Sequence, residues 1–436
     1  MRKFLKILFR DISTRVGLFL ILSQFVNAQH LNFRNSASGY FWETRDTLLN
    51  PVSNFRGNNN LYFNYVSNYF TLRGNVNFFN DVNPAENNKL KTKIPSLFIS
   101  TEQFDNKLKL ILGRQFISSG VGVGTIDGGN LSIRFFDNLI HLSGFGGYYV
   151  VRNDEFNFNK KLINNNLFGG AVSIYPDEEI FLRLSYVNKS WERNSFTTAR
   201  LDSLFEPKTI IANSLPQEEE YFSFDASYEN NSDYRIFFRS DYNVYSRTIS
   251  RANIFAKYKI SSPLEFSLEY FYREPRVSYN SIFSVFHSSS TNEVEASAEY
   301  ILNSNARFFT RLANVKYVDE SSSRFSFGGV FWGVNFNYSK NFGYSGDLNG
   351  ISILTSYPLL DRKLNLNLGV GFASYQLSET SPKNNITNFT LGATYYPIKY
   401  FTLDVYSQIM KNPQYKSDVR LMLKASYFYS HLFKGE

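Results

Sequence analysis

Cysteine is absent from the 436-residue sequence, and histidine occurs only four times. Disulfide bonds and cysteine-ligated metal sites are therefore excluded, and so few histidines indicate no transition-metal site. The sequence leaves open a calcium site formed by loop carboxylates, because this ion takes oxygen ligands. No cofactor is predicted, since the Gly-Val-Gly-Val-Gly run at 120–124 lacks the βαβ surroundings of a dinucleotide fingerprint.

Long apolar runs are missing as well. Beyond residue 28 no stretch of 18 or more apolar residues occurs, so the sequence predicts no membrane-spanning helix. The net charge is only +8, and several basic residues fall within the first 15 positions, which excludes a surface built for nucleic acid. Linkers and shifts of composition are lacking too, so one domain is expected after residue 28.

The first 28 residues have the pattern of a cleavable secretory signal. Basic residues open the segment, and an apolar stretch follows at 16–22. Val26-Asn27-Ala28 then places short side chains where a signal peptidase cleaves. The sequence therefore predicts export, with removal of residues 1–28 and a mature domain of residues 29–436. Because no cysteine follows the cleavage point, a lipoprotein anchor is excluded.

Aromatic residues are abundant, and apolar side chains recur at every second position. Phe, Tyr and Trp make up 18% of the chain, with 44 Phe and 30 Tyr. In 233–245, apolar side chains such as Ile236 alternate with Arg235 and Arg239, and a similar pattern returns in 264–273. Because successive side chains of a strand point to opposite faces, each segment has one apolar and one polar face.

Strand length and turn spacing indicate the kind of sheet. Many segments run to roughly 9–13 residues, the length that a tilted strand needs to cross a bilayer. Tight turns such as Asp105-Asn106 and Pro397-Ile398 alternate with longer polar connections. The sequence therefore predicts an all-β fold, a transmembrane antiparallel β-barrel with an even number of roughly 18 to 22 strands and no plug domain. Residues 305–357 stay ambiguous, because the glycine-rich stretch 328–333 is compatible with a turn, and a soluble all-β repeat is the alternative fold.

The last alternating segment, 418–433, ends in the aromatic Phe433 and is followed by Lys434-Gly435-Glu436. In this respect the mature chain resembles bacterial outer-membrane β-barrel proteins, which commonly close with such a strand, although the three-residue overhang departs from their pattern. The resemblance implies location in the Gram-negative outer membrane with both termini periplasmic. It also implies contacts with membrane lipid and lipopolysaccharide, periplasmic chaperones and the barrel-assembly machinery. Whether the barrels form a homotrimer is left open.

The polar faces of the strands are predicted to line a pore. The charged candidates on neighbouring strands are Arg235, Arg239, Arg251 and Lys257, then Glu265, Glu269, Glu293, Glu295 and Glu299, and beyond them Arg307 and Arg311. A basic wall beside an acidic wall would orient dipolar solutes and bias ion selectivity. The alternative is ordinary charge pairing between the strands of a polar lumen.

A glycine-rich segment follows Leu112 and contains Gly-Arg-Gln at 113–115. It resembles part of some substrate-specific porins, including alginate-export-like channels. Its glycines predict an extracellular connection at 118–127 that folds into the barrel, with Arg114 and Asp127 lining a constriction. A tight extracellular loop is the alternative. The longest connection, 191–218, is expected to cover the mouth, contact a partner or stay exposed.

These observations predict a porin or substrate-selective channel for passive diffusion of small hydrophilic or charged solutes across the outer membrane. The alternative is a non-enzymatic barrel component of a secretion or surface-polymer assembly system. An enzyme is not expected. His141 and Ser143 share a strand face, yet residues two apart on a strand lie ~6–7 Å from each other, beyond hydrogen-bond reach.

Overall fold

The computed structural model describes residues 28–45, 51–82, 90–151, 165–192, 196–201, 206–212, 217–230, 233–275, 290–317, 320–343, 346–376, 380–413 and 418–432. These residues form 24 β-strands. In chain order they are β1 (Ala28–Arg45), β2 (Pro51–Ser67), β3 (Thr71–Val82), β4 (Lys91–Gln103), β5 (Leu108–Ser119), β6 (Gly122–Phe135), β7 (Ile140–Val150), β8 (Asn166–Ile174), β9 (Ile180–Trp191), β10 (Phe196–Leu201), β11 (Pro207–Ala212), β12 (Gln217–Asn230), β13 (Tyr234–Asn243), β14 (Thr248–Ser261), β15 (Leu264–Arg273), β16 (Thr291–Asn303), β17 (Ala306–Lys316), β18 (Ser321–Phe331), β19 (Val334–Gly343), β20 (Asp347–Leu359), β21 (Leu364–Gln376), β22 (Asn384–Ile398), β23 (Phe401–Lys411) and β24 (Asp418–Leu432). The predicted closing aromatic, Phe433, and residues 1–27 of the predicted signal lie outside the described residues.

Twenty-two of the strands form one closed antiparallel sheet. Strands adjacent in the sequence pair with each other, and β24 pairs back with β1 from His30↔Leu432 to Trp42↔Arg420, which closes the barrel. β9 pairs directly with β12, because β10 and β11 form a separate hairpin in the connection between them. The predicted even-stranded antiparallel barrel is confirmed. Within the described residues it is accompanied only by that small hairpin, and no described helix is long and apolar enough to span a membrane.

The barrel has an apolar convex face and a polar concave face. Ile236, Leu268 and Leu312 are exposed on alternate strands β13, β15 and β17, whereas Asp241, which points the other way from β13, is fully buried. Side chains spread apart on the outside of a closed sheet and crowd together on the inside, so the exposed apolar face is the outer one. An apolar outer band around a polar interior is the arrangement of transmembrane barrels.

The connections differ between the two ends of the barrel. At the end where β1 begins and β24 ends they are short, as at 104–107 and 136–139, and left-handed residues such as Asp105 and Asn106 make the tight turns. The ambiguous region 305–357 resolves into β17 to β20, with a two-residue turn at Trp332-Gly333 in which both φ angles are positive. The other end carries the longer connections, which in outer-membrane barrels face the cell exterior.

Two predicted connections were placed wrongly. Pro397-Ile398 belong to β22, and the turn follows at 399–400, because a bulge after Tyr395 carries the strand further. The predicted connection 118–127 shrinks to a two-residue turn at Gly120-Val121. Gly120 has a φ of 54°, the left-handed conformation that lets two strands join so tightly.

Candidate functional site: the lumen wall and an inward-folded hairpin

The hairpin formed by β5 and β6 leaves the barrel wall before it ends. β4 and β5 pair only as far as Leu97↔Arg114, whereas β5 and β6 stay paired up to Ser119↔Gly122. Gly113 lies at the point of separation with a φ of +120°, and a Cβ on it would lie 2.5 Å from the carbonyl oxygen of Leu97. Because any larger residue would be strained and would clash, this bend needs glycine.

The hairpin tip, residues 115–125, lies against the inner wall of the barrel. A Cβ on Gly120 would come 2.8 Å from Oγ of Ser223 in β12. Arg183 in β9 donates a hydrogen bond from Nη2 to Oγ of Ser119 (2.9 Å). β12 is four strands away from β6 in the sheet, so the tip reaches across about 19 Å of wall at ~4.8 Å per strand. It therefore covers the inner surface of β7 to β9 on one side of the lumen.

A hydrophobic cluster holds the hairpin tip to the wall. Ile117 and Ile126 of the hairpin pack with Phe145, Leu167 and Val187 of β7, β8 and β9, and all five are buried. Burying an aliphatic or aromatic side chain of this size stabilises a fold by about 1.5–3 kcal/mol. The inward fold is thus a packed part of the structure. The predicted inward fold of this glycine-rich segment occurs, in the form of a hairpin end instead of a loop.

Arg114 lies on β5, and Asp127, which was expected in the connection, lies on β6. The guanidinium donates from Nε and Nη2 to the two carboxylate oxygens of Asp127 at 2.6 and 2.5 Å, and from Nη1 to the carbonyl oxygen of Ile94 at 3.1 Å. In strand register the pair shares the face of Leu112 and Leu131, which is the outer face. The expected placement of Asp127 is corrected because the short Gly120-Val121 turn extends β6 to include it. The pair connects β4 to β5 where the two strands separate.

The eleven charged residues predicted to line a pore share one face of the sheet. The registers of β13 to β17 place on this inner face Arg235, Arg239, Arg251, Lys257, Glu265, Glu269, Glu293, Glu295, Glu299, Arg307 and Arg311. They therefore belong to the wall of the lumen, on five consecutive strands. Their part in conduction stays a prediction.

Within the basic group, Arg239 belongs to a buried ionic cluster. Arg239 directs Nε to Oδ1 of Asp241 at 3.1 Å and to Oδ1 of Asp225 at 3.7 Å. Arg251 lies opposite Asp241 in the strand register, with its guanidinium 5.0 Å from the ring centre of Phe271. Asp225 was not selected from the sequence, because its partner lies on a different strand and only the register between β12 and β13 joins them.

The acidic group is also largely compensated. Arg324 in β18 donates from Nη2 to Glu293 and to Glu295, at 2.7 Å each. Lys257 forms an ion pair with Glu265. Arg324 was missed because its strand fell in the ambiguous stretch of the sequence. Many of the predicted charges are therefore compensated locally, largely by partners outside the predicted set, and they leave short-range fields along the wall.

A cleft of about 310 Å³ with a mixed polar and apolar lining lies on the lumen wall over β16 to β20, and Glu299, 3.9 Å from Nη1 of Arg307, is part of it. Arg307 and Arg311 border one side, and the amides of Asn335 and Asn337 border the other. The guanidinium of Arg311 lies 4.8 Å from the ring centre of Phe309. Among the described residues no carboxylate lies within 4.0 Å of Arg311, so this charge is accessible to a solute.

No known protein family and no curated protein matches the sequence. Solved structures do resemble the fold. An E. coli P pilus tip assembly intermediate, PapC-PapD-PapK-PapG, matches with a TM-score of 0.51 and 9% identity, over 94% of this chain and 63% of that chain. Pseudomonas aeruginosa OccK7 (OpdD) gives 0.43 and 10%, over 93% and 100%, and the P. aeruginosa outer membrane protein opdK gives 0.41 and 10%, over 92% and 99%. The match with the P pilus assembly intermediate shows a shared fold, a closed antiparallel β-barrel. At these identities the likeness extends to the fold alone.

The barrel end with the longer connections, called the rim here, carries a hydrogen-bonded tyrosine. Tyr245, in the turn between β13 and β14, donates its hydroxyl hydrogen to Oε2 of Glu218 at 3.1 Å. Burial, and then this carboxylate, raise the pKa of Tyr245 to about 12. The hydrogen bond joins the turn to the start of β12 and so links two connections of the rim.

Proposed function

We propose that the protein is an outer-membrane channel for passive diffusion of small hydrophilic or charged solutes. The observation that carries the proposal is the closed 22-strand barrel with a charged inner face. A barrel of this many strands is too wide for side chains to fill, so it encloses a channel unless a plug occupies it. Among the described residues, what enters the lumen is the hairpin tip on the wall of β7 to β9.

The hairpin tip and the paired charges bear on the width and the ion selectivity of the channel. The tip narrows the extracellular part of the lumen from one side. The ion pairs between Arg324 and its two glutamates, and the buried cluster around Arg239, present both signs of charge close together. Such a wall favours weak selectivity, because each field is short-ranged. In the cleft, Arg311 offers a positive charge to which an anionic group of a solute could bind transiently.

The same arrangement supports the proposed location and orientation. Both described chain ends, at residues 28 and 432, lie at the barrel end with short turns, which supports periplasmic termini. Membrane lipid and lipopolysaccharide would contact the apolar outer face, and periplasmic chaperones with the barrel-assembly machinery would deliver the chain. A homotrimer is compatible with the outer face. Sequencing of the mature amino terminus tests the proposed export signal, and Gln29 is the expected first residue.

Single-channel recording of the refolded protein in a planar bilayer under a salt gradient tests the proposal. We expect discrete current steps and a small reversal potential, because the wall is nearly charge-compensated. Folding is checked separately by the heat-modifiable migration that closed barrels show on gels. Folded protein without current steps would overturn the channel. It would favour the sequence-based alternative, a non-enzymatic barrel component of a secretion or surface-polymer assembly system, which requires a stable partner in pull-down experiments.

A further inference from the structure

The barrel wall is open between β4 and β5 at its extracellular end. Among the described residues, 91–96 of β4 pair only with β3, and 115–119 of β5 pair only with β6. Below this opening the two strands are joined in regular register from Leu97↔Arg114 downward. We call the opening the β4–β5 seam.

The seam reaches into the depth of the bilayer. The part of β5 that is paired to both neighbours, 108–114, has seven residues, fewer than the ~9–11 residues that a tilted strand needs to cross. Seven residues span about 23 Å along the strand and about 18 Å of height at a tilt near 40°, against an apolar band ~25 Å tall. Because the seam is at the end with the longer connections, it opens toward the outer leaflet.

The free edge of β4 along the seam, residues 91–96, has the composition of strand edges that do not pair with another strand. Lys91 and Lys93 lie on it, Pro95 removes one backbone donor, and the register shifts beside Pro95. Lysine, proline and bulges are the devices that protect free edges from pairing with another strand. At the base of the seam, Arg114 donates to the carbonyl oxygen of Ile94 and satisfies an acceptor that would be costly to leave bare in lipid.

The hairpin tip presents an apolar surface behind the seam. Phe116 is 63% exposed and Val123 is 48% exposed, and both lie on the face of β5 and β6 that carries Leu112 and Leu131 lower down. Those two leucines belong to the outer, lipid-facing surface. On this face the Arg114–Asp127 ion pair lies between the two leucines and the tip, so the apolar outer surface is interrupted at the base of the seam and resumes on the tip. The other face of the tip buries Ile117 in the hydrophobic cluster.

We propose that the β4–β5 seam is a lateral access site, in which an acyl chain of an outer-leaflet amphiphile lies against Phe116 and Val123. Because the seam opens toward the outer leaflet and the exposed residues behind it are apolar, a hydrocarbon chain fits as the occupant, and the protected edge of β4 disfavours an added strand. This inference goes beyond passage of solutes along the barrel axis. It does not depend on conductance, so its failure and that of the channel are distinguishable.

Fluorescence quenching in proteoliposomes tests the site directly. The chain has no native cysteine, so Phe116→Cys can be labelled with bimane and placed in vesicles of phosphatidylcholine brominated on its acyl chains. Leu131→Cys on the outer face is the positive control, and Asn337→Cys on the lumen wall is the negative one. We expect quenching at residue 116 close to that at residue 131. Quenching no greater than at residue 337 would overturn the proposal, and Val123→Cys repeats the test if the first variant fails to fold.

Disulfide formation tests the opening itself. Continuing the register past the base of the seam would place Ser96 opposite Gln115, while Ser100 and Ile111 are paired below it. After mild oxidation the Ser100→Cys/Ile111→Cys control should cross-link in most molecules, and Ser96→Cys/Gln115→Cys should stay several-fold less cross-linked. Equal cross-linking of the two pairs would mean a closed wall and would refute the seam.

Discussion

At the residue scale, two positions determine how the wall divides. Gly113 makes the bend with a backbone conformation that other residues rarely adopt. Arg114, only 5% exposed, then uses its planar guanidinium to bind a carboxylate with two donors and a carbonyl oxygen with a third. Neither role follows from residue type alone, since both depend on β4 ending its pairing at this point.

Replacement of Gly113 by alanine should lower the free energy of unfolding by about 1–3 kcal/mol, because it strains a positive-φ site and drives a Cβ into the carbonyl of Leu97. Urea unfolding in detergent micelles measures the change. Gly144→Ala is the matched control, since a Cβ there meets nothing closer than 4.0 Å. Equal midpoints for the two variants would contradict the assignment of strain to residue 113.

Tyr245 gives a prediction about pH. Its pKa is raised to about 12 from an ordinary value of 10.0, so the folded barrel favours the neutral phenol. The stability from this preference is fully present below pH 10 and is lost as the pH rises through about 12. Between these values the unfolding midpoint of the natural protein should fall faster than that of Tyr245→Phe. Parallel curves for the two proteins would show that folding does not raise the pKa of Tyr245.

At the element scale, the hairpin of β5 and β6 shows where sequence patterns stop being sufficient. Glycine content indicated an inward fold, but the strand bounds were misplaced by up to six residues, because glycines in a strand interrupt the alternation that marks strands. The packing partners on β8 and β9 are 40 to 70 residues away along the chain. Only the closed sheet brings Leu167 and Val187 beneath the tip.

Ile126→Ala should loosen the hairpin tip. Ile126 is fully buried in the cluster, so its truncation should cost about 2–5 kcal/mol of unfolding free energy. The mean single-channel conductance and its noise should rise as the tip leaves the wall. Val123→Ala, on the exposed face of the same strand, should change stability by less than about 0.5 kcal/mol. An unchanged conductance in folded Ile126→Ala would mean that the tip does not limit the channel.

At the scale of the whole molecule, charge is balanced across strands instead of being divided into opposed walls. Lumen-facing cations and carboxylates on neighbouring strands form ion pairs, and the chain needs a closed register to align them. The sequence predicted which residues face inward, since alternation is local. The sequence did not specify the ion-pair partners of these residues. Arg324 and Asp225 lie on other strands, and only the strand register brings them close to the predicted residues.

Arg324→Gln should shift the ion selectivity of the barrel toward cations. The change leaves Glu293 and Glu295 without the guanidinium that binds both of them, so two negative charges act on permeating ions. The reversal potential under a salt gradient should move in the cation-selective direction, and Arg324→Lys, which keeps the charge, should move it much less. Identical shifts in both variants would mean that the loss of the guanidinium hydrogen bonds, and not the loss of charge, changes the selectivity.

The amino-acid sequence by itself determined the class of fold, the two faces of the wall and the end at which the tight turns lie. These properties depend on alternation, strand length and turn residues, all of which act over a few positions. Only the tertiary structure decided that β4 and β5 separate at Arg114, that the tip packs on β8 and β9, and which charges pair. These features depend on the register and closure of 22 strands, and hydrogen-bond pairing between strands leaves no local signal in the chain.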